Sequence, residues 1–310
     1  MNPSPATPTS PPNTTTTDHE DRTMTTTEAP IPRSAGAARA TEATEATSTI
    51  SARPPGLLRT LPSVLRGEWI KATTVRANKV LLAVAAAMGL LVSWATAAFT
   101  DDAFAPDGAL TAMDVFVVPT LLTAVLAAVA GILLFTTEVQ HGTLAGALTA
   151  HPTRWPVVAG KVIVAAGFGV LLGVIGLVTG FAGAMAGGVE VGATSGVASL
   201  VAWALLYTVG SAVLGLGVGM VVRHSAAAVA GLLVWWLVVE GLIVSFAPPE
   251  AARFVPFDTG FRTLGVESEF DAPERLAAGL ANGLHASIFW GYVLVALAIG
   301  AALLVRRDID

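Results

Sequence analysis

Six apolar runs, each long enough to cross the hydrocarbon core of a bilayer as a helix, dominate this chain and decide what it can fold into. They cover residues 80–99, 115–135, 162–186, 196–222, 226–247 and 286–305. One crossing needs about 20 residues, and the third and fourth runs are long enough to tilt or to run past the interface. Charged residues make up only 13% of the 310, where a water-facing globule carries about 25%. The expected fold is therefore an all-α integral membrane protein with six transmembrane helices. The absence of cysteine excludes disulfides, thiol chemistry and cysteine-ligated metals.

The few charges set the expected orientation. Arg59, Arg66, Lys71, Arg76 and Lys79 precede the first run; Arg154 and Lys161 follow the second; Arg223 follows the fourth; Arg306 and Arg307 follow the sixth. The alternate connections hold only Arg253, Arg262 and Arg275, while the loop after the first run carries Asp101, Asp102, Asp107 and Asp114 with no base. The positive-inside bias then places both termini in the cytoplasm. The formal charge of −5 thus hides a basic inner face, an acidic outer face and one acid, Glu240, inside the fifth run.

Residues 1–56 are a different material. They contain no Leu, Val, Phe, Trp or Tyr, and Thr, Pro, Ala, Ser and Glu dominate. Such a segment cannot bury enough apolar surface to offset its ordering entropy, so a disordered cytoplasmic tail is expected before a membrane domain over 57–310. Met24 offers a second plausible start, which makes residues 1–23 a possible start-site artefact.

Within the membrane, Gly169 and Gly173, Gly176 and Gly180, and Gly215 and Gly219 fall four apart, a spacing that lets helix backbones approach closely in lipid. Glu240 lies midway along the fifth run, beside Trp235 and Trp236. A carboxylate at that depth must face protein, water or a partner. Three roles are open to it: structural hydrogen bonding, contact with a substrate or gate, and proton coupling. The tryptophans line a cavity or face lipid.

Outside the membrane, Leu61, Val64, Leu65, Trp69, Ala72 and Val75 recur at helical spacing, with Arg66, Lys71 and Arg76 mostly off that stripe. This reads as a basic amphipathic helix in the inner headgroup layer. The segment 136–161 is the longest internal cytoplasmic stretch. A short helix is expected there over 138–150, with Glu138 and His141 near its start and Pro152 as its stop. In the last external loop, Phe254, Pro256, Phe257 and Phe261 form an apolar cluster, and Asp271, Pro273 and Glu274 read as the capped start of a helix through Leu280. That loop is a lid or a structural cap.

Chemistry intrinsic to the chain is hard to assemble. None of Lys71, Lys79 and Lys161 sits in a phosphate-binding GxxxxGK[ST] loop, there is no HExxH, and Glu138 with His141 is an incomplete metal site. No cofactor, metal site or catalytic residue is expected, and no nucleic-acid partner.

In order, Arg66, Glu68, Trp69 and Lys71 with Thr74 and Arg76, then Glu138, Gly142 and Thr143 with Pro152, Arg154 and Lys161, then the basic end Arg306 and Arg307, are similar to the motifs of ABC-2-type ATP-binding-cassette permeases, in particular the small actinobacterial kind. The match covers roughly residues 60–310, with Val139 standing where an aromatic is frequent and Gln140 where a base is common. The resemblance implies a permease subunit in a bacterial plasma membrane, paired with a second permease as a homo- or heterodimer. A separate cytoplasmic ABC ATPase would bind ATP and Mg, and export is the direction implied. Carried over, Glu138, His141, Gly142, Thr143 and Leu144 would form the ATPase-coupling segment, and Glu68, Trp69, Lys71 and Arg76 the connecting helix. Glu240, Trp235 and Trp236 stand as substrate-path candidates from their position alone. Substrate is not inherited with architecture. The rival readings are a non-transporting membrane scaffold or immunity- or sensor-associated protein, and, behind it, an intramembrane enzyme.

Overall fold

A computed structural model describes residues 57–99, 112–144, 146, 155–188, 196–265 and 280–306, all within one compact unit spanning Pro55–Asp310. The tail expected over 1–56, the acidic loop through Asp107 and the helix expected over 271–280 (save Leu280) lie outside the described residues. The described residues are helical with no strand, and six helices are long and apolar enough to cross a membrane.

In chain order the elements are α1 (Leu57–Thr74), α2 (Arg76–Phe99), α3 (Ala112–Gln140), α4 (Trp155–Ala186), α5 (Val197–Val222), α6 (Ser225–Phe246), the short α7 (Pro249–Ala252) and α8 (Pro256–Arg262), and α9 (Asn282–Arg306). The six candidate spans are α2 to α6 and α9. Four of the expected apolar runs match them to within about four residues at either end, and the third begins about two turns early, at Trp155, because α4 takes in the turns that carry Lys161. The second is longer than its apolar core, because α3 continues roughly one and a half turns past Phe135 into polar sequence.

Two spans make the centre. About two-thirds of the most apolar window of α5 is buried, and nearly as much of that of α3, against 17% for each of α2 and α6. The α3–α5 contact is a backbone crossing. A Cβ on Gly215 would meet the Ala128 carbonyl, and one on Gly131 would meet the Ala212 carbonyl, so nothing larger than glycine fits at either position. Packing of this closeness, rather than hydrophobicity, drives helix association in lipid. The other paired glycines serve the same bundle: Gly169 faces Val209 and Thr208 on α5, and Gly176 faces Thr123 on α3.

The breaks between helices have local causes. At Val75 the chain leaves α1, and the buried Asn78 donates from Nδ2 to the freed carbonyl of Ala72 at 2.7 Å. Between α5 and α6 only Arg223 and His224 intervene. Arg223 takes the left-handed conformation (φ 59°), its N–H returning to the Gly219 carbonyl, and His224 caps α6 by accepting from the Ala227 N–H. Spans four and five therefore form a tight hairpin.

After α6 the chain folds back, at the end of the bundle opposite the α5–α6 hairpin, as α7 and α8, each with proline in its first turn. Of the expected phenylalanine cluster, Phe257 joins the core, where its carbonyl accepts from the Tyr207 hydroxyl at 3.3 Å, while Phe254 stays outside, beneath the Arg253 guanidinium.

Candidate functional site

At the end of the bundle where α1, the last turn of α3 and the first turns of α4 meet, four charges close into a ring. Glu68 and Lys71 stand one turn apart on α1, so their side chains share a face. Glu138 belongs to the last turn of α3, and Lys161 to the second turn of α4. Lys71 Nζ is 2.9 Å from Glu68 Oε1 and 3.2 Å from Glu138 Oε1. Lys161 Nζ is 2.8 Å from Glu68 Oε2 and 2.7 Å from Glu138 Oε2. Signs alternate round the ring and the sum is zero, so each charge has two opposite neighbours and the group presents no net charge to the interior.

The two ammonium groups differ in setting. Lys161 is 1% exposed; the Lys71 side chain is 45% exposed. Burial works to raise the Glu68 carboxyl, but the Lys161 charge and the hydrogen bonds from both lysines outweigh it and hold the group below the usual carboxylate range. Lys71 shifts the other way: burial works to lower it, and the two carboxylates outweigh that and raise it.

Beside the ring lies a cavity of about 490 Å³ whose walls include Lys71, Val75, Asn78, Leu134, Glu138 and His141. His141 and Gly142 form the turn that ends α3, with Gly142 at φ +68° and open space around it. This corrects the short helix expected to start at Glu138. Glu138 closes the long span helix instead, because the glycine in the left-handed conformation terminates α3 and a new helical segment begins at Thr143. Leu144 on that segment is buried against Phe135, Val157 and Leu304, while His141 and Thr143 are exposed. Residues 147–154 lie outside the described residues.

The rest of the α1 expectations divide. Trp69 is 43% exposed and lies against Gly167 of α4, and Arg76 opens α2, exposed. The buried face of α1 carries Glu68 and Ala72, so its acid points into the bundle where the apolar stripe alone implied a lipid-facing surface.

The same turn of α3 also holds the start of α6: the Ser225 hydroxyl lies 2.8 Å from Thr136 Oγ1 and 2.8 Å from Gln140 Oε1.

In the second half of α6 sits Glu240, 3% exposed. Residues Trp235–Glu240 form a π-helical turn. At about 100° per residue, positions five apart on an α-helix lie roughly 140° apart. The widened turn brings them towards one face, and Trp235 Nε1 donates to Glu240 Oε1 at 2.8 Å. The carboxylate also caps α8, accepting from the N–H groups of Phe257 (3.0 and 3.1 Å) and Asp258 (3.0 Å). Trp235 is partly exposed and Trp236 packs on the core. The structure therefore brings Glu240 and Trp235 together, away from the ionic ring.

Three participants were not among the residues singled out from sequence as site candidates. A lysine at the start of an apolar run reads as a topogenic flank, so Lys161 offered no signal beyond its place in a motif. The backbone donors at Phe257 and Asp258 have none at all.

No curated protein gives a significant match to the chain. A family model described as ABC-2 family transporter protein matches residues 64–247, from within α1 to the end of α6. The chain belongs to that family, and so to the membrane-embedded permease subunits of ABC transporters. Among the described residues, no cluster of three or more His, Cys, Asp or Glu has metal-site spacing.

Proposed function

We propose that this permease exports a substrate across a bacterial plasma membrane, driven by ATP that a separate cytoplasmic ABC ATPase binds with Mg and hydrolyses. The end bearing the ionic ring faces the cytoplasm, as do both termini, and the chain works as a homo- or heterodimer of permeases. One observation carries the reading: Glu138 sits in the last turn of a central span, ion-paired to α1 and α4 and followed at once by the Gly142 turn. A push on the segment after Gly142 would reach the core of the bundle through α3 and the connecting helix α1 through the ring. The basic flanks of α1 and α4 support the orientation.

The experiment is transport-coupled ATPase activity in vesicles holding the chain with a cytoplasmic ABC ATPase that co-purifies with it. Glu138→Ala and Gly142→Trp are expected to lower that activity while leaving the protein in the membrane. Unchanged coupling in both variants rejects the assignment of the coupling segment. Failure of any ATPase to co-purify favours the non-transporting scaffold.

A further inference from the structure

Lys161 is a fully buried lysine in the second turn of a span, in a chain with only three lysines. Its stem lies in the bundle, and its ammonium meets Glu68 Oε2 and Glu138 Oε2, carboxylates distant in sequence and on two different helices. Lys71 touches the same two residues through their other oxygens, but from the solvent side, where water can take its place. No water replaces Lys161 at 1% exposure. Take its charge away and two carboxylates share one half-exposed lysine, leaving a net negative charge in a buried site. An uncompensated charge of that kind destabilises far more than loss of the whole pair.

We infer that Lys161 is a positioning residue for coupling: by neutralising the two buried carboxylates it lets α1, the last turn of α3 and the start of α4 pack as a single body, so that movement of Glu138 carries α1 with it. The coupling role rests on the function proposed above; the locking of α1 does not. Around the ring the packing agrees, since Val64 of α1 lies where a side chain on Gly160, the residue before Lys161, would stand, and Ala72 is 1% exposed.

The chain's lack of cysteine makes the test direct. Ala72→Cys is introduced alone, with Lys161→Met, and with Lys161→Met plus Glu68→Gln, and each full-length chain is placed in lipid nanodiscs, open on both faces. The probe is the rate of labelling by a membrane-impermeant maleimide. The single thiol introduced by Ala72→Cys is expected to be protected when no other change is made. Labelling rises about tenfold or more with Lys161→Met, which keeps the stem volume and removes the charge. Protection returns when Glu68→Gln restores neutrality, a rescue that simple loss of packing would not show. Continued protection in Lys161→Met, or no recovery in the double variant, overturns the inference. If Lys161→Met alone cannot be recovered from the membrane, the double variant decides: protection supports the inference and labelling overturns it.

A second arm measures coupling in the complex with the ATPase. The ATPase activity that the ATPase gains on assembly with this chain falls with Lys161→Met and recovers with the added Glu68→Gln. Labelling that follows the expected pattern beside unaltered coupling overturns the positioning role. A wild-type chain that stimulates no ATPase rejects the proposed function instead, and leaves the labelling result standing.

Discussion

The backbone N–H of Phe257 donates to both carboxylate oxygens of Glu240, at 3.0 and 3.1 Å, fastening the folded-back segment to the fifth span. The Asp258 N–H and the Trp235 indole complete the set. These donors use the carboxylate in the first of the three ways open to it from sequence, as a hydrogen-bonded tie between elements.

Glu240→Ala should therefore orphan three N–H donors at once. Each buried unsatisfied group costs about 1–3 kcal/mol. The expected outcome is a clear fall in Tm, followed by intrinsic tryptophan fluorescence in detergent, and new maleimide reactivity at a cysteine placed at the buried Thr259. Trp235→Phe removes one donor and should show a smaller fall. An unchanged Tm in Glu240→Ala would remove the tie from the account.

Gly142 distinguishes strain from bulk. Its left-handed φ costs a residue with a Cβ about 1–2 kcal/mol, although the space around it is empty. Gly142→Ala should lower coupled ATPase activity in the direction expected of Gly142→Trp. Gly146, equally open but helical, should tolerate alanine. Equal tolerance at both positions would show that the turn is not what matters.

The ring predicts a bounded pH range for the docking of α1. Glu68 is held below its unfolded value, so its contribution is complete above that value, about 4.3, and is lost as pH falls through the lower folded pKa. Lys71 is raised, so its contribution is complete below its unfolded value, about 10.4, and is lost as pH rises through the higher folded pKa. Half-exposure of Lys71 makes the alkaline loss the smaller of the two. Docking of α1, read after equilibration between about pH 3 and pH 11 as the distance between nitroxides attached beforehand to cysteines at the exposed Thr73 of α1 and Trp155 of α4, should be flat through the middle and fail first on the acid side. Failure near neutrality would contradict the assignment.

Gly131 and Gly215 are interchangeable in their intolerance. A leucine at either separates α3 from α5 across the centre of the bundle, and overpacking of this kind costs at least about 1–3 kcal/mol. Loss of monodisperse protein on size-exclusion chromatography is the expected outcome for both. Gly231→Ala, which meets nothing within 4 Å, should be neutral or slightly stabilising.

Much of this architecture is legible in the sequence because lipid leaves few choices. A run such as 226–247 can satisfy its backbone in a bilayer only as a helix. The spacing of Gly215 and Gly219 pointed to close packing, and the structure identifies the partner as α3 of the same chain. The end of α3 was harder to place. Hydropathy stops at Phe135, but the backbone stays helical until Gly142 permits the left-handed turn. Glu68 and Lys71 were legible as residues of an amphipathic helix, and Glu138 as part of a motif. Their meeting was not legible, since it depends on how α1 rotates against α4, which one sequence does not encode in any local period. The carboxylate of Glu240 announced itself by its depth; its donors, being backbone, left no mark.

The Ser225 contacts give α6 a mechanical character. Its beginning is clamped to the turn of α3 that carries Glu138, its first turns pack on α3 and α5, and its second half, with Leu237, Leu242 and Phe246 all more than half exposed, leans on the Glu240 tie. A beam clamped at one end and propped near the other cannot turn at the clamp without loading the prop. A helix of this length, roughly 33 Å, would carry a small rotation beside the ionic ring to α8 on the opposite face as leverage, with no chain of rearranging side chains in between.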